Sequence, residues 1–546
     1  MKLLARALAL ALLAAPAACA APAVLPRAGA AGLVREGTPD AVDVALARRS
    51  GRTRAFEWAT FSPETFERAR REGKFILLDG AAEWCHWCHV MDATTYTDPE
   101  VGRLLRERFI AVRVDVDERP DIGERYGDWG WPATILFSPE AQEIGKYRGY
   151  LPPEELRAIL EKVTTAPAAA APSAVDTAKD RVPPLEAMAW IAGRVTVDLD
   201  SYYDPRLGSW GRAQKSPLGE NAQLELVRAA RGDAAALERA RFSLAQHRKL
   251  IDPVWGGVYQ YSAGRGWDDP HFEKLMTYQA ENLEAYARAF AFTKDEAYRR
   301  DAKSIAGYMA TFLTNADGAF LPTQDADVGS HDPGARFIDG HVYYALPDAE
   351  RRALGIPRVD PHVYPFENGL AIAAFVTLHE ASPDPALLAK ARRAADHVLA
   401  KLVTADGLVK REGRHPARYL ADAASFGRAL LRLDAAAPDP RYRESASKIA
   451  EALLRDFDDP ATGAFFDTSI DPAAAGVFAT RLRTLANNVL AARFLLALST
   501  AANDPSLRDR ARRALAAVST PRALDARGRM VGGYLLALDE AGLYPW

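Results

Sequence analysis

Two cysteines three positions apart, Cys85 and Cys88, lie in the run Asp79-Gly-Ala-Ala-Glu83-Trp84-Cys85-His86-Trp87-Cys88-His89. A Cys-x-x-Cys pair at a strand-to-helix turn puts its first sulfur near a helix N-terminus. There the unpaired backbone N–H groups and the helix dipole favour a thiolate. A thiol with the ordinary pKa of about 8.5 is only a few per cent ionised at neutral pH, whereas one brought down to about 7 is roughly half ionised. Cys85 is therefore the candidate nucleophile toward a disulfide, and Cys88 the thiol that resolves the mixed disulfide. Asp79 is placed to take the proton of Cys88 if it is buried. Three other readings share these residues. Cys-x-x-Cys-His is also a haem-attachment pattern. His86 and His89 could lend nitrogens to zinc, although a second cysteine pair is missing. A purely structural disulfide is the third, but it would close too short a loop to stabilise much. The strand-to-helix setting favours redox chemistry, so no metal and no cofactor are expected.

The elements that must hold this run alternate between strand and helix signals from Phe56 to about Val163. Phe75–Leu78 is a short buried-strand run, and Ile110–Val116, Ala133–Phe137 and the weaker Ile144–Tyr147 are others. Pro153–Val163 reads as a helix with Leu156, Ile159, Leu160 and Val163 on one face. An Ala/Pro-rich stretch within 166–182 reads as a linker.

From Val182 on, the pattern is helical. Stripes at i, i+3, i+4, i+7 spacing start at Leu185, Tyr298, Ala391, Phe426 and Leu507, and each should bury one face. A glycine preceded by Asp or Asn within four residues, and followed two later by an apolar residue, recurs six times: Gly208, Gly256, Gly318, Gly407, Gly463 and Gly528. Six such turns, each leaving room for about two helices, suggest six helical hairpins closed in a ring over 183–546, with an open solenoid as the alternative. The expected fold is thus a small α/β domain (56–165) followed by an all-α toroid.

The chain of 546 residues carries a net charge of −3, with no basic excess to neutralise phosphates, so nucleic acid is not an expected partner. Residues 1–20 read as an export signal: Lys2 and Arg6, the apolar run Leu8–Ala15, then Ala18-Cys19-Ala20 as a small-x-small cleavage site. Residues 21–55 read as a tether. The expected location is periplasmic or secreted. Cys19, the remaining cysteine of three, also fits a lipoprotein box in part, and a membrane partner is expected only if it is lipidated.

Residues 75–163 resemble thioredoxin-fold proteins. Asp79, Trp84, Cys85, Cys88 and Pro132 match, and the resemblance implies a cis Trp131–Pro132 bond at a substrate groove, with Trp84, His86, Trp87 and Trp131 as substrate-contacting residues. Tyr96–Val101 also looks like the periplasmic reductase relatives. More specifically, Trp84–Met91 resembles the spermatogenesis-associated protein 20 family, which joins a thioredoxin-like domain to a six-hairpin toroid of glycosidase type. Gly256–Ser262, Trp267 with Pro270–Lys274, and Gln324–Asp327 are similar to further motifs of that family. Lys215-Ser216-Pro217, Thr277-Tyr278 and Val328 depart from it. The Cys-x-x-Cys placement, the lack of other cysteines besides Cys19 and the export signal together make the expected function an exported thiol-disulfide oxidoreductase acting on a thiol or disulfide protein substrate or redox partner, with a toroid that binds or selects substrate.

Ring loops converge on one face, so Asp268, His271, Glu273, Asp325 and Asp327 are candidates for a second site. Two carboxylates across a pocket act as acid and base on a sugar. The alternatives are therefore a carbohydrate-active enzyme of glycosidase or epimerase type with an accessory redox domain, or a non-catalytic binding protein, either with a carbohydrate ligand.

Overall fold

The computed structural model describes residues 44, 47–48, 51–127, 130–165, 180–332, 334–413 and 415–546. The export signal, Cys19, most of the tether and the centre of the Ala/Pro stretch lie outside these. Successive side chains of a strand point to opposite faces, and the first domain is built on that alternation. Its strands are β1 (Phe75–Ala81), β2 (Phe109–Asp115), β3 (Ala133–Phe137) and β4 (Glu143–Arg148), in the order β2-β1-β3-β4. β1 runs parallel to β2 and antiparallel to β3. Ile76 and Leu78 face one core with Val112, Val114, Ile135 and Phe137. Leu77 faces the other, with Leu104, Leu136, Leu156 and Leu160. Five helices cover the sheet: α1 (Pro63–Glu72), α2 (His86–Thr94), α3 (Pro99–Arg108), α4 (Pro120–Tyr126) and α5 (Pro153–Thr165). This is a thioredoxin-like domain.

The ring has six inner helices: α7 (Gly219–Ala230), α9 (Met276–Thr293), α11 (Pro365–Ala381), α13 (Leu420–Ala436), α15 (Leu485–Ala502) and α17 (Gly532–Glu540). Each packs on the next, and α17 packs back on α7, which closes the ring. Arg493 of α15 seals that closure, donating to Glu540 of α17 at 2.7 Å and Glu220 of α7 at 3.2 Å. The outer helices are α6 (Met188–Tyr202), α8 (Ala234–His247), α10 (Glu296–Phe312), α12 (Pro385–Leu402), α14 (Pro440–Asp456) and α16 (Pro505–Val518). α15 is long and apolar enough to cross a membrane by length and composition, but most of it is buried within the ring.

The six repeat glycines all have positive φ. At Gly256 (φ 74°) an added Cβ would lie 2.4 Å from the Ser304 carbonyl oxygen on α10, so the turn needs both the left-handed backbone and the missing side chain. The apolar residue two positions on is buried in five of the six turns; Met530 is exposed. Leu185 departs from its predicted stripe, standing exposed on a 3₁₀ turn before α6.

Candidate functional site

β1 ends at Ala81, and the chain turns over Trp84 into α2, which begins at His86. Cys85 is the N-cap: its Sγ accepts the Cys88 N–H at 3.2 Å, and no acidic residue stands in the first turn to oppose a thiolate. Cys85 and Cys88 are joined in a disulfide. The Trp131–Pro132 peptide is cis. The Trp131 ring lies over Gly80, where an added Cβ would come within 2.9 Å of it.

Asp79 and Arg113 are register partners on β1 and β2. Arg113 Nε donates to Asp79 Oδ2 at 2.8 Å and its Nη atoms grip Asp92 at 2.6 and 2.8 Å. Asp79 Oδ1 is buried and makes no hydrogen bond. Burial pushes the Asp79 carboxyl above the ordinary range, opposed by the Arg113 charge.

The cysteines are only 3% and 5% exposed, because the ring's loop face sits on the redox turn. His86 Nδ1 hydrogen-bonds Asp327 Oδ2 at 2.6 Å. Arg358 Nε pairs with Glu83 at 2.8 Å. Arg411, almost wholly buried, donates to the Asp117 carbonyl at 2.8 Å and to Asp422 at 2.7 Å. Asp117 in turn accepts the Trp84 indole N–H at 2.7 Å. Burial, then the neighbouring Asp115, holds the Asp117 carboxyl well above its usual range. Phe478 stacks edge-on against Phe61 at 4.9 Å, and Leu275, Ala475 and Val477 pack on the core containing Trp84 and the cysteines.

The predicted substrate-contacting residues therefore divide. Trp84 and His86 are buried and tied to Asp117 and Asp327. Trp87 and Trp131 are half-buried, Trp87 stacking at 5.7 Å on Tyr150. Asp325 and Asp327 are not spread across an open pocket; both turn onto α2. His271, Glu273 and Asp327 join His86 around a small cleft of about 10 Å³. Asp268 stands apart, exposed on the loop after Trp267. Burial pushes the Asp325 carboxyl up to about 7 and raises that of Asp327 as well.

Sequence reasoning missed three things. The first is the set of clamp residues Arg358, Arg411 and Asp117, whose partners lie hundreds of positions away and leave no local signal. The second is a buried charge cluster in which Lys274 Nζ and Arg351 Nη1 both donate to Asp252 at 2.8 Å. Burial lowers the Lys274 ammonium to about 8. The Pro270–Lys274 motif therefore ends in a residue that braces the ring. The third is a cavity of about 750 Å³ between the domains, walled by Trp58, Phe61, Arg119, His415, Asp471 and Phe478.

Residues 48–180 match the family described as "Thioredox_DsbH: Protein of unknown function, DUF255". Spermatogenesis-associated protein 20 of Homo sapiens is 31% identical over 327 residues, which is 53% of this chain and 41% of that protein. The chain is similar to spermatogenesis-associated protein 20. It spans about two-fifths of the length of the curated relatives it matches. Thiol:disulfide interchange protein DsbD 1 of Pseudomonas aeruginosa is 38% identical over 84 residues, 15% of this chain and 14% of that one. Among solved structures, cellobiose 2-epimerase from Bacillus thermoamylovorans B4167 superposes with a TM-score of 0.46 at 12% identity, over 60% of this chain and 86% of that chain. The ring here is read from its own helix packing.

Proposed function

We propose that the protein is an exported thiol-disulfide oxidoreductase whose ring covers the redox pair and selects what reaches it. The carrying observation is the Cys85–Cys88 disulfide at the N-terminus of α2. In the reduced protein the Cys85 thiolate attacks one sulfur of a substrate disulfide. A mixed disulfide forms and one substrate thiolate leaves. Cys88 gives its proton to Asp79 and attacks Cys85 Sγ, releasing the second substrate thiolate and restoring the Cys85–Cys88 disulfide. A dithiol partner resets the pair by the reverse exchange. The unpaired, buried Oδ1 of Asp79 supports its role as proton acceptor. The polar clamp on α2 supports the role of the ring as a gate.

In a protein-disulfide reduction assay, Cys85→Ser should abolish turnover and Cys88→Ser should trap a mixed disulfide with substrate. A Cys85→Ser protein with full activity would overturn the proposal. Export rests on residues 1–20, and fractionation of the expressed chain tests it.

A second reading, a ring that binds carbohydrate, is favoured by the interdomain cavity, whose lining includes aromatic rings from both domains and several charged groups. A sugar that stabilises the wild type but not a His415→Ala, Asp471→Ala variant would support it.

A further inference from the structure

Two groups of metal-ligating side chains meet where α2 touches the ring, and they differ in one respect. His86, Asp327 and Asp339 are already satisfied. His86 hydrogen-bonds Asp327, whose other oxygen accepts the Gly340 N–H at 2.9 Å, and Asp339 accepts the His341 N–H at 2.8 Å. The second group is His89, Asp325 and His331, whose ligand atoms all lie within 4.8 Å of one another. Here His89 Nδ1 makes no hydrogen bond, although its side chain is only 10% exposed. It points at Asp325 Oδ2, 3.6 Å away, an oxygen that already accepts Ser330 Oγ–H at 2.6 Å and that His331 Nε2 reaches at 3.0 Å.

We propose that His89 Nδ1, Asp325 Oδ2 and His331 Nε2 form a site for a divalent transition metal, zinc in character, that ties the redox helix to the ring. Two imidazole nitrogens and one carboxylate are a donor set that favours zinc over magnesium or calcium. Bonds of about 2.0–2.1 Å in a tetrahedron put neighbouring ligand atoms about 3.4 Å apart. The His89–Asp325 and Asp325–His331 separations bracket that value. His331 is 25% exposed, which leaves it free to adjust and leaves a fourth position open to solvent.

The loop carrying His331 is held in place independently. Arg48 donates to the carbonyls of Gly329 at 3.0 Å, Ser330 at 2.9 Å and Ala335 at 3.3 Å. Its positive charge opposes a cation nearby. Arg113 adds a second positive charge near His89, and the carboxylate within the group is Asp325. The site does not depend on redox activity, because neither sulfur is a ligand.

The test uses the full chain, freed of metal and kept oxidised so that no thiol can bind. Zinc is titrated by calorimetry, and cobalt is followed by the visible bands of its four-coordinate form. The wild type should take up one ion and melt at a higher temperature. His331→Ala, on the exposed loop, should bind at least about tenfold more weakly. His89→Gln should do the same, and a Cys85→Ser, Cys88→Ser protein should bind as the wild type does. Absence of zinc uptake by the wild type, equal affinity in His331→Ala, or loss of binding in the cysteine-free protein would each overturn the proposal.

Discussion

Replacing Asp327 by Asn keeps the shape of the ring loop and removes the charge that faces His86. Asparagine still accepts the Gly340 N–H, so the loop retains its internal bond. What changes is the 2.6 Å contact with His86 Nδ1, which becomes a bond between neutral groups. Hydrogen bonds to charged groups contribute about 1.5–3 kcal/mol and neutral ones about 0.5–1.5 kcal/mol, so the interface should loosen by roughly 1–1.5 kcal/mol. If a bulky dithiol protein reaches Cys85 only when the ring lifts, and lifting is fast compared with exchange, the rate of reduction scales with the open population. The variant should then be reduced about 5–15 times faster. The assay follows alkylation of the two thiols by mass, with reduction of the urea-unfolded proteins as reference. The unfolded rates should be equal, and the ratio of folded to unfolded rate gives the opening equilibrium of each protein. A folded Asp327→Asn protein reduced no faster than the wild type would refute the idea that this contact governs access.

Arg411 is the most consequential clamp residue for stability. Arg411→Met leaves the buried Asp422 without its 2.7 Å partner and should cost roughly 3–5 kcal/mol, read as a lower denaturant midpoint. Arg411→Lys should recover only part of that, because lysine cannot span Asp422 and the Asp117 carbonyl at once. Asp79→Asn should slow resolution of the mixed disulfide on the order of 10²-fold at pH 7, with Cys85 alkylation unaffected, as seen in a stopped time course. Glu367 gives a pH prediction. Burial pushes its carboxyl from 4.5 up to about 7. A raised folded pKa means that its contribution is fully present below about 4.5 and is lost as pH rises through about 7, up to about 3 kcal/mol. Glu367→Gln should therefore match the wild type near pH 4 and exceed it near pH 8 in urea unfolding.

The strands of the first domain and the glycine turns of the ring were legible because their signals are local. An unbroken apolar run at Phe75–Leu78, and a glycine where φ must be positive, are properties of a few consecutive residues. The outer helices α10, α12 and α16 showed as stripes because one face of each meets solvent. The inner helices α11 and α15 did not, because they are buried on most sides and carry no contrast between faces. The contents of the redox turn could be read, but its covering could not. Nothing near His86 announces Asp327, 241 positions away, so residues that bond to the ring looked like open substrate contacts.

The near-complete burial of Cys85 argues at first for an inert disulfide. Energetics favour the gate. Closing so short a loop stabilises the chain by about 2 kcal/mol in the entropic account, against about 3 for a loop of 15 residues, which is a small return for the chain's one described cysteine pair. A sulfur meant to stay dry would be sealed by apolar packing. From the ring side, Leu275, Ala475, Val477 and Phe478 supply that among the described residues of this core. Polar contacts also close it: His86 with Asp327, Glu83 with Arg358, Arg411 with the Asp117 carbonyl, and Arg125 with the Thr480 carbonyl. Such contacts exchange with water at modest net cost, whereas an apolar seal of equal area does not. On the proposed reading, an interface held this way should open without unfolding either domain and bare the N-terminus of α2, where a thiolate is favoured.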